Sequence, residues 1–147
     1  MATQTTTSSL TVTRTIKASA DRVFDAWTQP EHMKRWAAPE GVEVQVAEVD
    51  LTVGGRYHIR MLSGEGVEYN AVGIYREVTR PTRLVYTWSW EEKEHDVGET
   101  LVTVEFKAQG DTTEVTVLHE GFPATEARDR HEQGWNGCLD RFEQLFA

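Results

Sequence analysis

Cysteine is nearly absent from this chain of 147 residues: Cys138 stands alone, and no run of apolar residues approaches the roughly 18 that a membrane span requires. A single thiol excludes an intrachain disulfide framework and fits a reducing compartment. The opening stretch MATQTTTSS has neither a basic cluster nor an apolar core, so neither a signal peptide nor an anchor is expected there, and the expected location is cytoplasmic. Positive charge is scarce too. Fifteen Lys+Arg stand against 24 Asp+Glu, a formal net charge of −9 with no basic stripe to offset it, so neither nucleic acid nor an anionic membrane is expected as a partner. Several chemical motifs are also missing. No G-x-G-x-x-G follows Gly54-Gly55, and Tyr69 stands where a third glycine would have to follow Gly64 and Gly66. In His131-Glu-Gln-Gly-Trp135 a tryptophan replaces the second histidine of the helical zinc motif, so neither a metal nor a cofactor is expected.

What the chain does have is aromatic side chains, 10% of all residues and five of them Trp, placed mostly in segments that alternate as strands do. The last stretch, Thr125 to Ala147, is different. His131, Trp135, Cys138, Leu139, Phe142, Leu145 and Phe146 repeat with a helical period, while charged and amide residues occupy the other face. A helix of about 22 residues reaches about 33 Å, enough to cross a sheet. Gly134 and Gly137 lie one turn apart on it, each costing about 1 kcal/mol relative to Ala, and mark a place where the helix surface is shaved down.

In chain order, residues 1–9 read as a solvated tail and 10–147 as a single domain, without repeats or linker. Leu10, Val12 and Ile16 alternate with threonines in a half-buried strand, interrupted on its apolar side by Arg14. Two short helices follow, the first capped by Ser19 or Asp21 and stopped by Pro30, the second running Glu31 to Trp36. Six strands come next, near residues 42–46, 56–63, 68–78, 83–90, 99–108 and 113–120, joined by short turns and one acidic loop. That loop, Glu91 to Glu99, holds four Glu and one Asp against one Lys and reads as a solvated face. The expected fold class is α+β: a curved antiparallel sheet wrapped around a long C-terminal helix, with two short helices after the first strand.

An ordered set of motifs covers nearly the whole chain: Ile16-Lys-Ala-Ser-Ala-Asp-Arg-Val-Phe-Asp-Ala-Trp27, His32 to Trp36, Asp50-Leu-Thr-Val-Gly-Gly-Arg56, Leu84-Val-Tyr-Thr-Trp88, His119-Glu-Gly-Phe122 and Gly134-Trp135 with Leu139. Together they resemble the family of homologues of the activator of the Hsp90 ATPase, within the START/Bet v 1-like (SRPBCC) superfamily. The resemblance implies a helix-grip fold. It also implies one of several roles found across the superfamily: binding lipids or hormones, cyclising polyketides, antibiotic self-resistance, or co-chaperone work. The eukaryotic activators carry an additional N-terminal domain for which this chain has no room, and that lowers the weight of a direct Hsp90 role.

Alternation places Tyr57, Ile59 and Met61 on one strand, Tyr69, Ala71 and Gly73 on the next, then Tyr86, Trp88 and Trp90, then Val102, Val104 and Phe106, on a common inward face. Their bland role is to fill a core. Set beneath Gly134 and Gly137, with His131 and Trp135 on the helix, they read equally well as the walls of a small-molecule site. Trp36 with Ala37 to Gly41 is expected to close one end and Phe122-Pro123 the other. The reading favoured is the binding of a small hydrophobic ligand, aromatic or lipid-like, without catalysis. One alternative is a polyketide cyclase or hydrolase using Tyr57, His119 or His131 as acid or base, with Arg14, His58 and Glu120 as further polar groups that point inward. Another is a module that binds a chaperone or other protein through the outer sheet or the acidic loop.

Overall fold

In strands the backbone sends successive side chains to opposite faces, so the alternating segments can bury one face only by pairing edge to edge over a common partner. The computed structural model describes residues 8–147. Seven strands form one antiparallel sheet in the order β1-β7-β6-β5-β4-β3-β2. They are β1 (Ser8–Ile16), β2 (Val42–Val49), β3 (Arg56–Ser63), β4 (Glu68–Thr79), β5 (Arg83–Trp90), β6 (Thr100–Gln109) and β7 (Thr112–Phe122). The helices are α1 (Ala20–Thr28), α2 (Pro30–Trp36) and α3 (Thr125–Gln144). Of the expected tail, residues 1–7 lie outside the described residues, while Ser8 and Ser9 already pair in β1, with Phe122 and Glu120 of β7.

Local chemistry sets the element ends. The Ser19 hydroxyl accepts from the Arg22 N–H and caps α1, and Pro30, which has no N–H to lose, starts α2. Register shifts between Val44 and Val46 of β2 and between Tyr75 and Glu77 of β4 bend those strands, which helps the sheet to curl around α3. This is the helix-grip arrangement. Among the described residues no helix is long and apolar enough to cross a membrane.

The side of the interior next to β6 and β7 is packed solid. Val102, Val104, Val115, Val117, Phe24, Leu139 and Phe142 are fully buried there, and Trp27 meets Phe106 and Phe142 edge-on with ring centroids 5.8 and 5.2 Å apart. Arg14 shares the inward face of β1 but turns to the polar edge of α3. Its guanidinium donates to Asp140 Oδ1 at 2.8 Å, Glu143 Oε2 at 2.7 Å and Asn136 Oδ1 at 2.9 Å. Arg14 therefore clasps strand to helix and is not a group of the interior chemistry. Because the carboxylates are half exposed, Arg14→Met should cost only about 1 kcal/mol in urea denaturation, and a loss above 3 kcal/mol would contradict a solvent-screened clasp.

Candidate functional site

Toward β3, β4 and β5 the interior is not filled. Tyr57, Ile59 and Met61 of β3, Tyr69 and Tyr75 of β4, and Tyr86, Trp88 and Trp90 of β5 face His131, Gly134, Trp135 and Cys138 of α3 across a cavity of about 540 Å³. Trp27, Met33 and Trp36 of the short helices, with Ala37, Pro39 and Val42, close one end. Small-molecule sites commonly have volumes of about 300–1,000 Å³ and apolar walls with a few polar tips.

Several sequence candidates lie elsewhere. Val102 and Val104 are wholly buried in the solid side of the core and are not cavity walls. Phe122 is also fully buried away from the cavity, packed on the rings of His119 at 4.4 Å and His131 at 4.7 Å, so it does not close an end. The two helix glycines separate. A Cβ on Gly134 would meet nothing within 4 Å, whereas one on Gly137 would stand 2.9 Å from Pro39 Cβ. Gly137 thus admits the 37–41 loop against the helix, and only Gly134 opens onto the cavity. Gly73 serves a different contact, since a Cβ there would run into Thr87 O and the Tyr57 ring. Its absence lets Tyr57 lie across β4 and donate its hydroxyl to the Thr87 carbonyl.

Trp27, Met33, Tyr75, Cys138 and the inner residues of the acidic loop line the cavity without having been singled out from the sequence. Tyr75 continues the phase of Tyr69, Ala71 and Gly73, and that signal was legible. The loop had none, because its composition is that of a solvated turn. Asn70 holds it down. The Asn70 N–H and side-chain amide donate to the two Glu92 oxygens at 2.8 and 2.7 Å, and the Glu91 N–H donates to the Asn70 carbonyl at 2.9 Å. Partial burial opposes the Glu92 charge, yet these hydrogen bonds prevail and hold its carboxyl below the ordinary carboxylate value. Beyond it His95 stacks on Tyr69 with ring centroids 4.4 Å apart, and Glu94, His95, Asp96 and Val97 form part of the cavity mouth with Arg130.

The polar groups next to this space are committed to one another. Trp135 Nε1–H donates to His119 Nδ1 at 3.0 Å, which leaves His119 Nε2–H to donate to Thr100 Oγ1 at 2.7 Å, and Thr100 Oγ1–H to donate to the Trp88 carbonyl at 2.9 Å. Likewise Trp90 Nε1–H donates to His131 Nε2 at 2.9 Å, and His131 Nδ1–H donates to the Ala127 carbonyl at 2.7 Å. Both chains require neutral imidazoles, and electrostatics agrees. Burial, with His131 nearby, brings His119 down to about 3, and burial also lowers His131. Burial raises the Tyr57, Tyr75 and Tyr86 phenols well above their ordinary range and pushes the Cys138 thiol up to about 12. His119 lies behind the cavity wall, while Tyr57 and His131 reach it. His58 is outside, with Nε2 hydrogen-bonded to Asn70 Oδ1 at 2.7 Å, and Glu120 is also outside. The interior is thus aromatic, and burial and hydrogen bonding hold His119, His131 and the phenols of Tyr57, Tyr75 and Tyr86 uncharged near pH 7. Among the described residues no three of His, Cys, Asp and Glu are grouped as a metal centre would need.

Other solved structures share this fold. A crystal structure of a Chromobacterium violaceum protein superposes with a TM-score of 0.84 at 24% identity, covering 94% of this chain and 96% of that one. The AHSA1 protein of Silicibacter pomeroyi gives 0.82 at 24% identity, over 94% and 96%. A Nitrosomonas europaea protein gives 0.78 at 23% identity, over 93% and 92%. At these identities the likeness is one of fold. No functionally curated protein matches the sequence significantly. The sequence itself matches, over residues 17–147, the profile of the family described as Activator of Hsp90 ATPase homolog 1-like protein. With nearly the whole chain matched and the helix-grip sheet, short helices and long α3 all in place, the protein belongs to that family.

Proposed function

We propose that this protein binds a small hydrophobic molecule in the cavity between β3–β5 and α3. The observation that carries the reading is the cavity itself: about 540 Å³ left open inside a single small domain, walled by Tyr and Trp side chains. Protein interiors otherwise pack as densely as organic crystals, so an unfilled apolar space of this size forgoes contacts that a ligand would restore. The acidic loop supports the same reading. Its inner residues are drawn to the mouth through Asn70 and Tyr69, where they would meet an entering molecule.

Gly134→Leu tests it. The new side chain projects into open space, and the helix gains by losing a glycine, so stability should change by about 1 kcal/mol or less. Affinity for a neutral hydrophobic fluorophore such as N-phenyl-1-naphthylamine should fall at least tenfold by fluorescence titration. If the wild-type protein takes up no such probe, and a broad thermal-shift screen of hydrophobic compounds raises its melting temperature with none, the reading fails.

A further inference from the structure

The rings that line the cavity are not equally covered. Tyr57, Tyr75 and Tyr86 are buried, whereas Tyr69, Trp88 and Trp90 stay partly exposed, and Trp90 ends the strand that leads into the acidic loop at the mouth. These three stand at steep angles. Trp90 meets Trp88 at 85° with ring centroids 5.4 Å apart, and Tyr69 at 69° and 6.1 Å. The Trp90 indole N–H is fastened to His131, which holds this corner in place. Rings on adjoining, steeply inclined walls can turn more than one negative π-face to the same space, and such a space attracts a cation. The charges beside the corner have the matching sign. Glu94 and Asp96 flank His95, whose ring lies on Tyr69 with centroids 4.4 Å apart, and against these two exposed carboxylates the lining holds one guanidinium, the exposed Arg130. The net charge of −9 adds to the same field, so an anion is repelled on approach. A compact ammonium with N–H groups is strongly hydrated and needs acceptors, and His119 Nδ1 and His131 Nε2 already accept from Trp135 and Trp90. An ammonium covered by methyl groups has no N–H to satisfy, and a partly exposed corner spares it full desolvation.

Resting on the ligand-binding reading above, we infer that the cavity takes an organic cation: its apolar body lies among the deeper rings, and its quaternary ammonium head sits at the corner of Tyr69, Trp88 and Trp90 near the mouth. Dispersion and burial hold the body, while the ring faces and the Glu94 and Asp96 carboxylates hold the head. Such a site asks no hydrogen bond of its ligand. It ranks molecules of one shape by their charge.

The test uses four ligands on one naphthalene skeleton that differ in the end group: trimethyl(2-naphthylmethyl)ammonium, its uncharged isostere 2-neopentylnaphthalene, 2-naphthylmethylammonium and 2-naphthylmethanesulfonate. Each is titrated into the full chain carrying bound N-phenyl-1-naphthylamine, whose loss of fluorescence reports displacement. The quaternary cation should bind about fivefold or more tightly than the isostere, with the primary ammonium weaker than the quaternary one and the sulfonate weakest. Nuclear Overhauser effects should run from the N-methyl protons to the ring protons of Tyr69 and Trp90. Tyr69→Phe keeps the ring and should keep the preference, whereas Tyr69→Leu should bring cation and isostere within about twofold of each other. Equal binding of the quaternary cation and its isostere, or tighter binding of the sulfonate or the primary ammonium, overturns the inference while the cavity reading stands. N-methyl contacts to Tyr57 and Tyr75 in place of Tyr69 and Trp90 overturn it as well, by placing the head elsewhere. If the fluorophore is not taken up, calorimetry ranks the four directly, and detection of none removes the cavity reading and this inference with it. The ranking and the contacts in the wild-type protein decide the matter even if Tyr69→Leu fails to fold.

Discussion

Truncating Trp135 to alanine should lower stability by about 3–5 kcal/mol, the range for removing a large aromatic side chain from a core. The side chain is 7% exposed and lies between the Trp27 ring, near-parallel with centroids 6.0 Å apart, and the Trp88 ring at 5.8 Å. Its indole N–H is also the donor that fixes the tautomer of His119. Alanine therefore removes packing from both neighbours, enlarges a cavity that is already open, and leaves a fully buried imidazole nitrogen without its donor. Trp135→Phe separates the two effects, since most of the ring area is kept and the hydrogen bond is lost. It should cost about 1–3 kcal/mol, the usual penalty for orphaning a buried polar group. Chemical denaturation of both variants measures these losses, and a loss under 1 kcal/mol for alanine would show that the helix does not bury this face.

Acid should destabilise the protein well before its carboxylates protonate. His119 titrates near 6.5 in an unfolded chain and near 3 in the fold, so between those values the unfolded chain binds a proton that the folded chain excludes. Stability is then complete above 6.5 and falls as the pH drops. Each pH unit below 6.5 removes about 1.4 kcal/mol, which amounts to about 2 kcal/mol at pH 5. His131, shifted in the same direction by burial, adds to the loss. Glu92, held below its ordinary value of 4.5, begins to contribute only at lower pH, so a comparison of pH 7 with pH 5 isolates the imidazoles. In urea denaturation His119→Gln, whose amide can still donate toward Thr100, should be less stable than the wild type at pH 7 but lose distinctly less between pH 7 and pH 5. An equal drop in both proteins would mean that His119 carries no such linkage.

Much of the fold was legible because its determinants are local. Alternation in residues 56–63 and 83–90 put Tyr57, Ile59, Met61, Tyr86 and Trp88 on one face, and the helical repeat from His131 to Phe142 put Trp135 and Leu139 on another. A short apolar face followed by Pro30 marked the two small helices. The acidic loop reads as solvated and most of its residues are exposed, but its sequence does not record that Asn70 fastens it beside the cavity. Charged residues at a loop tip look the same whether they face water on all sides or are fastened by Asn70 over the mouth of a cavity.

By itself the sequence determined which residues share a side of each strand and of the last helix, since side-chain direction follows from backbone geometry within a few residues. Only the tertiary structure decided which inward residues meet one another and which meet open space. Val102 and Tyr86 lie opposite each other on paired strands β6 and β5 and carry the same inward signal, yet the first is closed over in the core and the second lines a cavity. Gly134 and Gly137, one helical turn apart, read alike, but Pro39 stands against the second and nothing against the first. What stands opposite a residue is set by the bend of the sheet and by partners a hundred positions away, and no local pattern records that distance.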